Sequence, residues 1–195
     1  MTQATKLLNE VRDCTLCAKF LPLEPKPILQ WQPQARILIA GQAPGRKAHD
    51  AGVPFHDASG ARLRAWLGIS AEVFYNPQCV AILPMGFCFP GTGKSGDLPP
   101  RPECAPAWRE QLLQPLTQLK LTLVIGGYAQ AYHLPNAAKT VTERVEAWQE
   151  SWPEIVPLPH PSPRNNIWLR RNPWFEQELL PKLQARVAAV LSSKN

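Results

Sequence analysis

Arg36-Ile37-Leu38-Ile39-Ala40-Gly41-Gln42-Ala43-Pro44-Gly45 is the stretch on which the fold turns. Its first half, Arg36 to Ala40, is an apolar run closed by glycine. It reads as a strand buried on both faces, the kind a parallel sheet requires. Three more runs have the same character: Cys79 to Leu83, Leu121 to Ile125 ending at Gly126-Gly127, and Glu154 to Leu158, which leads straight to His160. Helical spacing fills the intervals. Leu7, Leu8, Val11 and Cys14 predict a first helix that delivers Cys14-Thr15-Leu16-Cys17 at its end, and Leu63, Trp66 and Leu67 predict another after Ser59-Gly60. Ala107 to Leu119, Tyr128 to Leu134 and Val141 to Trp148 follow, and a last helix runs from about Trp174 to Leu191 with Pro181 as a kink or break. Leu21 to Pro33 and Phe87 to Pro106 are proline-punctuated and predicted irregular. Strands alternating with helices predict an α/β chain of three layers, α/β/α: a central four-stranded, mainly parallel sheet with helices on both faces.

At 195 residues the chain suits one domain spanning 1–195. Its 45% hydrophobic and 18% charged content is that of an ordinary soluble protein. The formal charge of +6 favours an anionic partner, since clustered Lys and Arg release counterions from phosphates, although a solvated basic surface has the same composition. No secretory leader pattern and no apolar run near the roughly 18 residues of a membrane span is visible, so the expectation is a cytoplasmic monomer without a membrane partner. In a reducing compartment a Cys-x-x-Cys pair reads first as metal ligation or redox chemistry.

The chemistry is concentrated in two loops. Gly41-Gln42-Ala43-Pro44-Gly45, followed by Pro54-Phe55, leaves the first strand, and His160-Pro161-Ser162-Pro163-Arg164-Asn165 leaves the last. Parallel strands bring both to one sheet edge, where they become opposite walls of a single cleft. Exposed backbone N–H groups from Gly41 to Gly45 can hold a carbonyl oxygen or an oxyanion. His160, at the C-terminal end of a strand and held by Pro161, is placed for work. Arg46, Lys47, Arg62 and Arg64 on one side and Arg164, Trp168, Arg170 and Arg171 on the other interleave basic and aromatic character along the rim, which suits phosphate contact and stacking.

This ordered pair of loops resembles the motifs of the uracil-DNA glycosylase superfamily, over nearly the whole chain from about Cys14 onward. Cys14, Cys17, Cys88 and Cys104 follow the order and approximate spacing of its iron–sulfur branch, family four, and Pro161 to Asn165 is similar to the single-strand-selective uracil glycosylases. The resemblance implies a DNA glycosylase that hydrolyses the N-glycosidic bond of uracil or another deaminated base in base-excision repair, with DNA as partner. It implies that the first loop, through Gly41 and Ala43, grips the base carbonyl and places the attacking water. Phe55, on its own equally a core residue, would stack on the extruded base. His160 would donate a hydrogen bond to the base as negative charge builds on it. Ser162, Arg164 and Asn165 would face the DNA backbone. Four thiolates suit either a 4Fe-4S cluster or a tetrahedral zinc; the resemblance favours the cluster.

The chain departs from that pattern where the family carries acids in the first loop, having Gln42 and Ala48, and where it carries a base-reading Asn, having Pro84. Candidates to activate water are then Asp50, His49, Gln42 and Asp57, with Asp50 or a backbone carbonyl preferred; Asp57 is also placed to cap the following helix. Two other functions fit these departures: a degenerate member that binds DNA or a damaged base without cutting, and a hydrolase of free nucleosides or nucleotides.

Overall fold

The computed structural model describes residues 2–94, 96–136 and 140–193. Four strands, β1 (Ile37–Ala40), β2 (Val80–Ile82), β5 (Leu121–Ile125) and β6 (Ile155–Leu158), form a wholly parallel sheet in the order β2-β1-β5-β6. β1 is central and every one of its residues is buried, as the unbroken apolar run requires. Because strand side chains alternate between faces, Ile37 and Ile39 join one core and Leu38 the other.

The first core is covered by α3 (Ala58–Leu67), through Leu63, Trp66 and Leu67, and by α9 (Leu180–Ser192), through Leu183, Val187 and Val190. Behind the other face pack α1 (Gln3–Arg12), through Val11, and α5 (Cys104–Leu113), through Leu112, together with Trp31, whose indole N–H donates to the Leu112 carbonyl at 2.8 Å. This is the three-layer arrangement the periodicity predicts. Both sheet margins are interrupted. Gln30 exchanges backbone hydrogen bonds with Ile82 outside β2, and the other margin, β6, carries Pro157, which has no N–H to offer a further strand.

Several elements differ from expectation. The segment Phe87 to Pro106 is not wholly irregular: it contains a small antiparallel hairpin, β3 (Thr92–Gly93) with β4 (Gly96–Asp97), and ends in α5. That helix starts at Cys104 rather than Ala107 and stops at Leu113, just before Pro115. Three short helices, α2 (Arg46–Ala51), α4 (Ala71–Phe74) and α8 (Asn166–Arg171), lack enough turns for a hydrophobic stripe to announce them. α6 (Gly126–His133) follows β5 with no intervening loop, and α7 (Val141–Glu146) opens on a capping box between Thr140 and Glu143. Ahead of Pro181 the final helix widens into a π-helical turn over Phe175–Leu179, the local adjustment a proline without N–H demands. Among the described residues no helix is long and apolar enough to cross a membrane.

Candidate active site

The two loops meet. Gly41, Gln42, Ala43, Pro44 and Gly45 from the end of β1 and His160 from the end of β6 line one hollow of about 80 Å³, together with Pro54, Phe55, Asp57, Ser59, Pro84 and Asp97. One ordered water needs only about 10–15 Å³ by a comparable measure. The hollow therefore has room for more than solvent.

Its first wall extends the sheet ladder. Met85 N–H donates to the Gly41 carbonyl at 2.8 Å and Gly86 N–H to that of Gln42 at 3.0 Å, so the turn is braced by the chain leaving β2. That chain is braced in turn by Arg109, 1% exposed on α5, which donates to the carbonyls of Leu83 (3.0 Å) and Pro84 (3.2 Å). The same guanidinium donates to His133 Nε2 at 2.6 Å, and because arginine cannot accept, that imidazole is neutral. Burial, reinforced by the Arg109 charge, pushes the His133 pKa down to about 4.

Phe55 occupies the floor in a strained conformation, φ 55°, which side chains rarely adopt. Three contacts hold it there. Tyr75 donates its hydroxyl to the Phe55 carbonyl (3.3 Å), the ring meets Phe74 edge-on at 6.2 Å, and Gly60 presses so closely that a Cβ there would sit 1.8 Å from the Phe55 oxygen. Gly60 belongs to α3, whose N-cap is Asp57, accepting from Gly60 N–H at 3.0 Å.

The opposite wall fixes His160. Ser162 N–H donates to Nδ1 at 3.2 Å, which leaves the proton of the neutral ring on Nε2. Burial pushes its pKa below the ordinary imidazole value, against the pull of Asp57 and then Asp97. Around it, Asn165 donates from Nδ2 to the His160 carbonyl (2.7 Å), Arg164 N–H to Ser162 Oγ (3.2 Å) and Arg62 to the Ser162 carbonyl (3.1 Å).

Most of the sequence candidates converge, with differences. Gly41, Ala43, Gln42, Phe55 and His160 line the hollow, whereas Ser162 and Asn165 do not, their polar groups being committed to the His160 loop. Asp50 is outside it: it lies exposed on α2 and pairs with Arg46 at 2.8 Å one helical turn away. Gln42 donates its side-chain amide to the Leu98 carbonyl (2.9 Å), which occupies it structurally. Trp168 is turned inward, its indole N–H on Thr142 Oγ1 (2.8 Å) and its ring against Trp174 and Phe175, an aromatic cluster rather than a rim residue. Lys47, Arg164 and Arg170 are exposed. Ser59, Asp97 and the supports Tyr75, Gly60 and Arg109 were not among the candidates. Only Ser59-Gly60 gave a local signal, as a helix start.

Cys14, Cys17, Cys88 and Cys104 line a second, separate hollow with Phe87, Arg101 and Trp108. Among the described residues no group of three or more His, Cys, Asp or Glu side chains is arranged to hold a metal ion. The donor chemistry still fits one. Among the described residues no imidazole lines that hollow; one carboxylate borders it, Glu103, which accepts from Cys17 Sγ at 3.9 Å and is paired with Arg101, and two N–H groups point at sulfur: Trp108 Nε1 to Cys14 (3.2 Å) and Phe87 N to Cys104 (3.4 Å). Burial pushes the thiols of Cys88 and Cys104 up to about 11 and about 12, so bare they are protonated.

The hollow lies at the carboxyl ends of the parallel strands, where open α/β sheets place their ligands, and it sets the neutral imidazole of His160 opposite the Gly41–Gly45 turn. Residues 30–184 match the model of the uracil DNA glycosylase superfamily, and the chain belongs to that superfamily. Its members are typically hydrolytic glycosylases that act on DNA.

Proposed function

We propose that this chain is a DNA glycosylase that hydrolyses the N-glycosidic bond of uracil or another deaminated base. The observation that carries this is the shared hollow of the first loop and His160, with the imidazole neutral and its Nε2 proton available. A base inside a duplex is out of reach, so it must be extruded. Phe55 then supplies the stacking face. As the bond to C1′ breaks, charge builds on the base, and the His160 N–H stabilises it more than it stabilises the neutral substrate. Pro84, at the wall where a base-edge donor would stand, offers no side-chain hydrogen bond, so selection among bases falls to shape and to the backbone donors. Lys47, Arg164 and Arg170 serve the phosphates.

Oligonucleotides carrying uracil, hypoxanthine or xanthine, single- and double-stranded, followed by alkaline cleavage, test this. Strand scission at one of these bases is expected; none at any would refute it. A second function is favoured by the side chains of the first loop, where Gln42 is tied to Leu98 and Ala48 carries no acid: a member that binds a damaged base without cutting. Retarded migration of the same oligonucleotides without scission would establish that one.

The four cysteines are assigned to a 4Fe-4S cluster, supported by their common hollow and by the N–H groups aimed at sulfur. Bound there, the group would cross-link the end of α1 to the Phe87–Cys104 segment. Iron and acid-labile sulfide are expected in the purified protein; zinc without sulfide would overturn the assignment.

A further inference from the structure

The hairpin β3–β4 has a place in the site that its length does not suggest. Gln42 of the first loop holds it through the Leu98 carbonyl, and Gly96, at φ 142°, lies so close to Arg164 of the second loop that a Cβ would stand 2.7 Å from the guanidinium. It thus spans both walls. Its last residue, Asp97, lines the hollow.

Gly45 tells where that carboxylate points. Its φ of −78° is open to any residue, so no backbone reason calls for glycine there. The carboxylate lies close to it: a Cβ on residue 45 would stand 3.2 Å from Asp97 Oδ2, tighter than ordinary contact. The Asp97 carboxylate therefore rests over the first loop, and its charge is felt at His160. Of the two acids lining the hollow, Asp57 has a structural task as the cap of α3, accepting at 3.0 Å, while Asp97 is exposed at the hollow's mouth and, among the described residues, accepts a long contact of 3.4 Å from the exposed Thr92 hydroxyl.

We propose that Asp97 is the residue that takes the proton from the attacking water, so that the hairpin supplies the carboxylate which Gln42 and Ala48 do not. This rests on the glycosylase function proposed above. The C1′–N bond breaks with its electron pair going to the base, which His160 stabilises. The water oxygen bonds to C1′, its proton passes to the Asp97 carboxylate and from there to solvent, and the base anion is protonated from solvent. The charged and titratable groups that face Asp97 across the hollow are His160, Asp57 and, beside Gly96, Arg164.

The test uses Asp97→Asn, Asp97→Glu, Asp57→Asn and Thr92→Val in single-turnover excision on the oligonucleotide the wild type cleaves, with binding of the abasic product oligonucleotide measured alongside. Asp97→Asn is expected to slow excision by about 10²–10⁴-fold with product affinity unchanged and to remove the acid limb of the pH–rate profile. Asp97→Glu should restore part of the rate. Thr92→Val, which deletes the hairpin contact and keeps the carboxylate, should act like wild type. Wild-type rates in Asp97→Asn, an equal loss in Thr92→Val, or an acid limb removed by Asp57→Asn instead would overturn the inference while leaving the glycosylase standing. A wild type that excises no base from any of the oligonucleotides would overturn both.

Discussion

Replacing Gly60 by alanine sets two effects of opposite sign against each other. Gly60 lies inside α3, where alanine is worth about 1 kcal/mol over glycine. Against that gain stands a collision: the new Cβ would lie 1.8 Å from the Phe55 carbonyl oxygen, 2.8 Å from its carbonyl carbon and 2.9 Å from its Cβ. Relief requires the Phe55 backbone or the start of α3 to move by roughly 1 Å or more, since carbon contacts settle near 3.5–4.0 Å. Overpacking of that order costs about 1–3 kcal/mol, and loss of the bond from Tyr75 to the Phe55 carbonyl about 1 kcal/mol more. The collision wins by roughly 1–3 kcal/mol, a fall in Tm of about 2–10 °C for a chain of this size. Excision should suffer more than stability, because a displacement of about 1 Å in a substrate-positioning group costs on the order of 10²-fold in rate. Calorimetry and single-turnover excision on the same preparation measure both. A raised Tm with an undiminished rate would refute the claim that Gly60 sets the pose of Phe55.

In the proposed reaction His160→Ala removes the donor to the departing base and should lower the excision rate by about 10²–10³-fold in the same assay; an undiminished rate would take His160 out of the chemistry. Tyr75→Phe keeps the ring and loses the bond to the Phe55 carbonyl, so a destabilisation of about 0.5–1.5 kcal/mol by urea unfolding and a several-fold slower excision are expected. His133, whose pKa falls from 6.5 unfolded to about 4 folded, is buried as the neutral form. Between these values the unfolded chain binds the extra proton, so its contribution is complete above about pH 6.5 and is lost as pH falls through about 4. Urea midpoints measured across that range should decline toward acid, and less steeply in His133→Gln.

What the sequence revealed follows the range of each interaction. The strands were legible because burial on both faces forces unbroken apolar runs such as Ile37 to Ala40. His160 and the Gly41–Gly45 turn were legible because each directly follows such a run. The roles of Asp50 and Trp168 were not: an acid near the first loop is catalytic or solvent-facing according to one turn of α2, and an indole beside arginines faces outward or inward according to Thr142, distant in sequence. Asp97 was hidden for the same reason, since its neighbours Gly45 and His160 belong to other segments and its own surroundings read as loop. Arg109 ran against composition altogether, because arginine is almost never buried without a carboxylate partner. Its stabilising carbonyls, Leu83 and Pro84, lie at the end of a strand to which no local pattern on α5 refers.

The two guarded margins of the sheet bear on how this molecule tolerates its own working parts. The proposed excision would require the cleft to admit and release an extruded nucleotide, and loops that loosen to do so uncover strand ends. With Pro157 on one flank and the Gln30 bridge on the other, such an opening offers a neighbouring copy an interrupted ladder rather than a continuous one. Any breathing at the mouth should thereby be less tightly coupled to self-association. Replacement of Pro157 by valine would restore that coupling, and would register as concentration-dependent scattering before any change in catalysis.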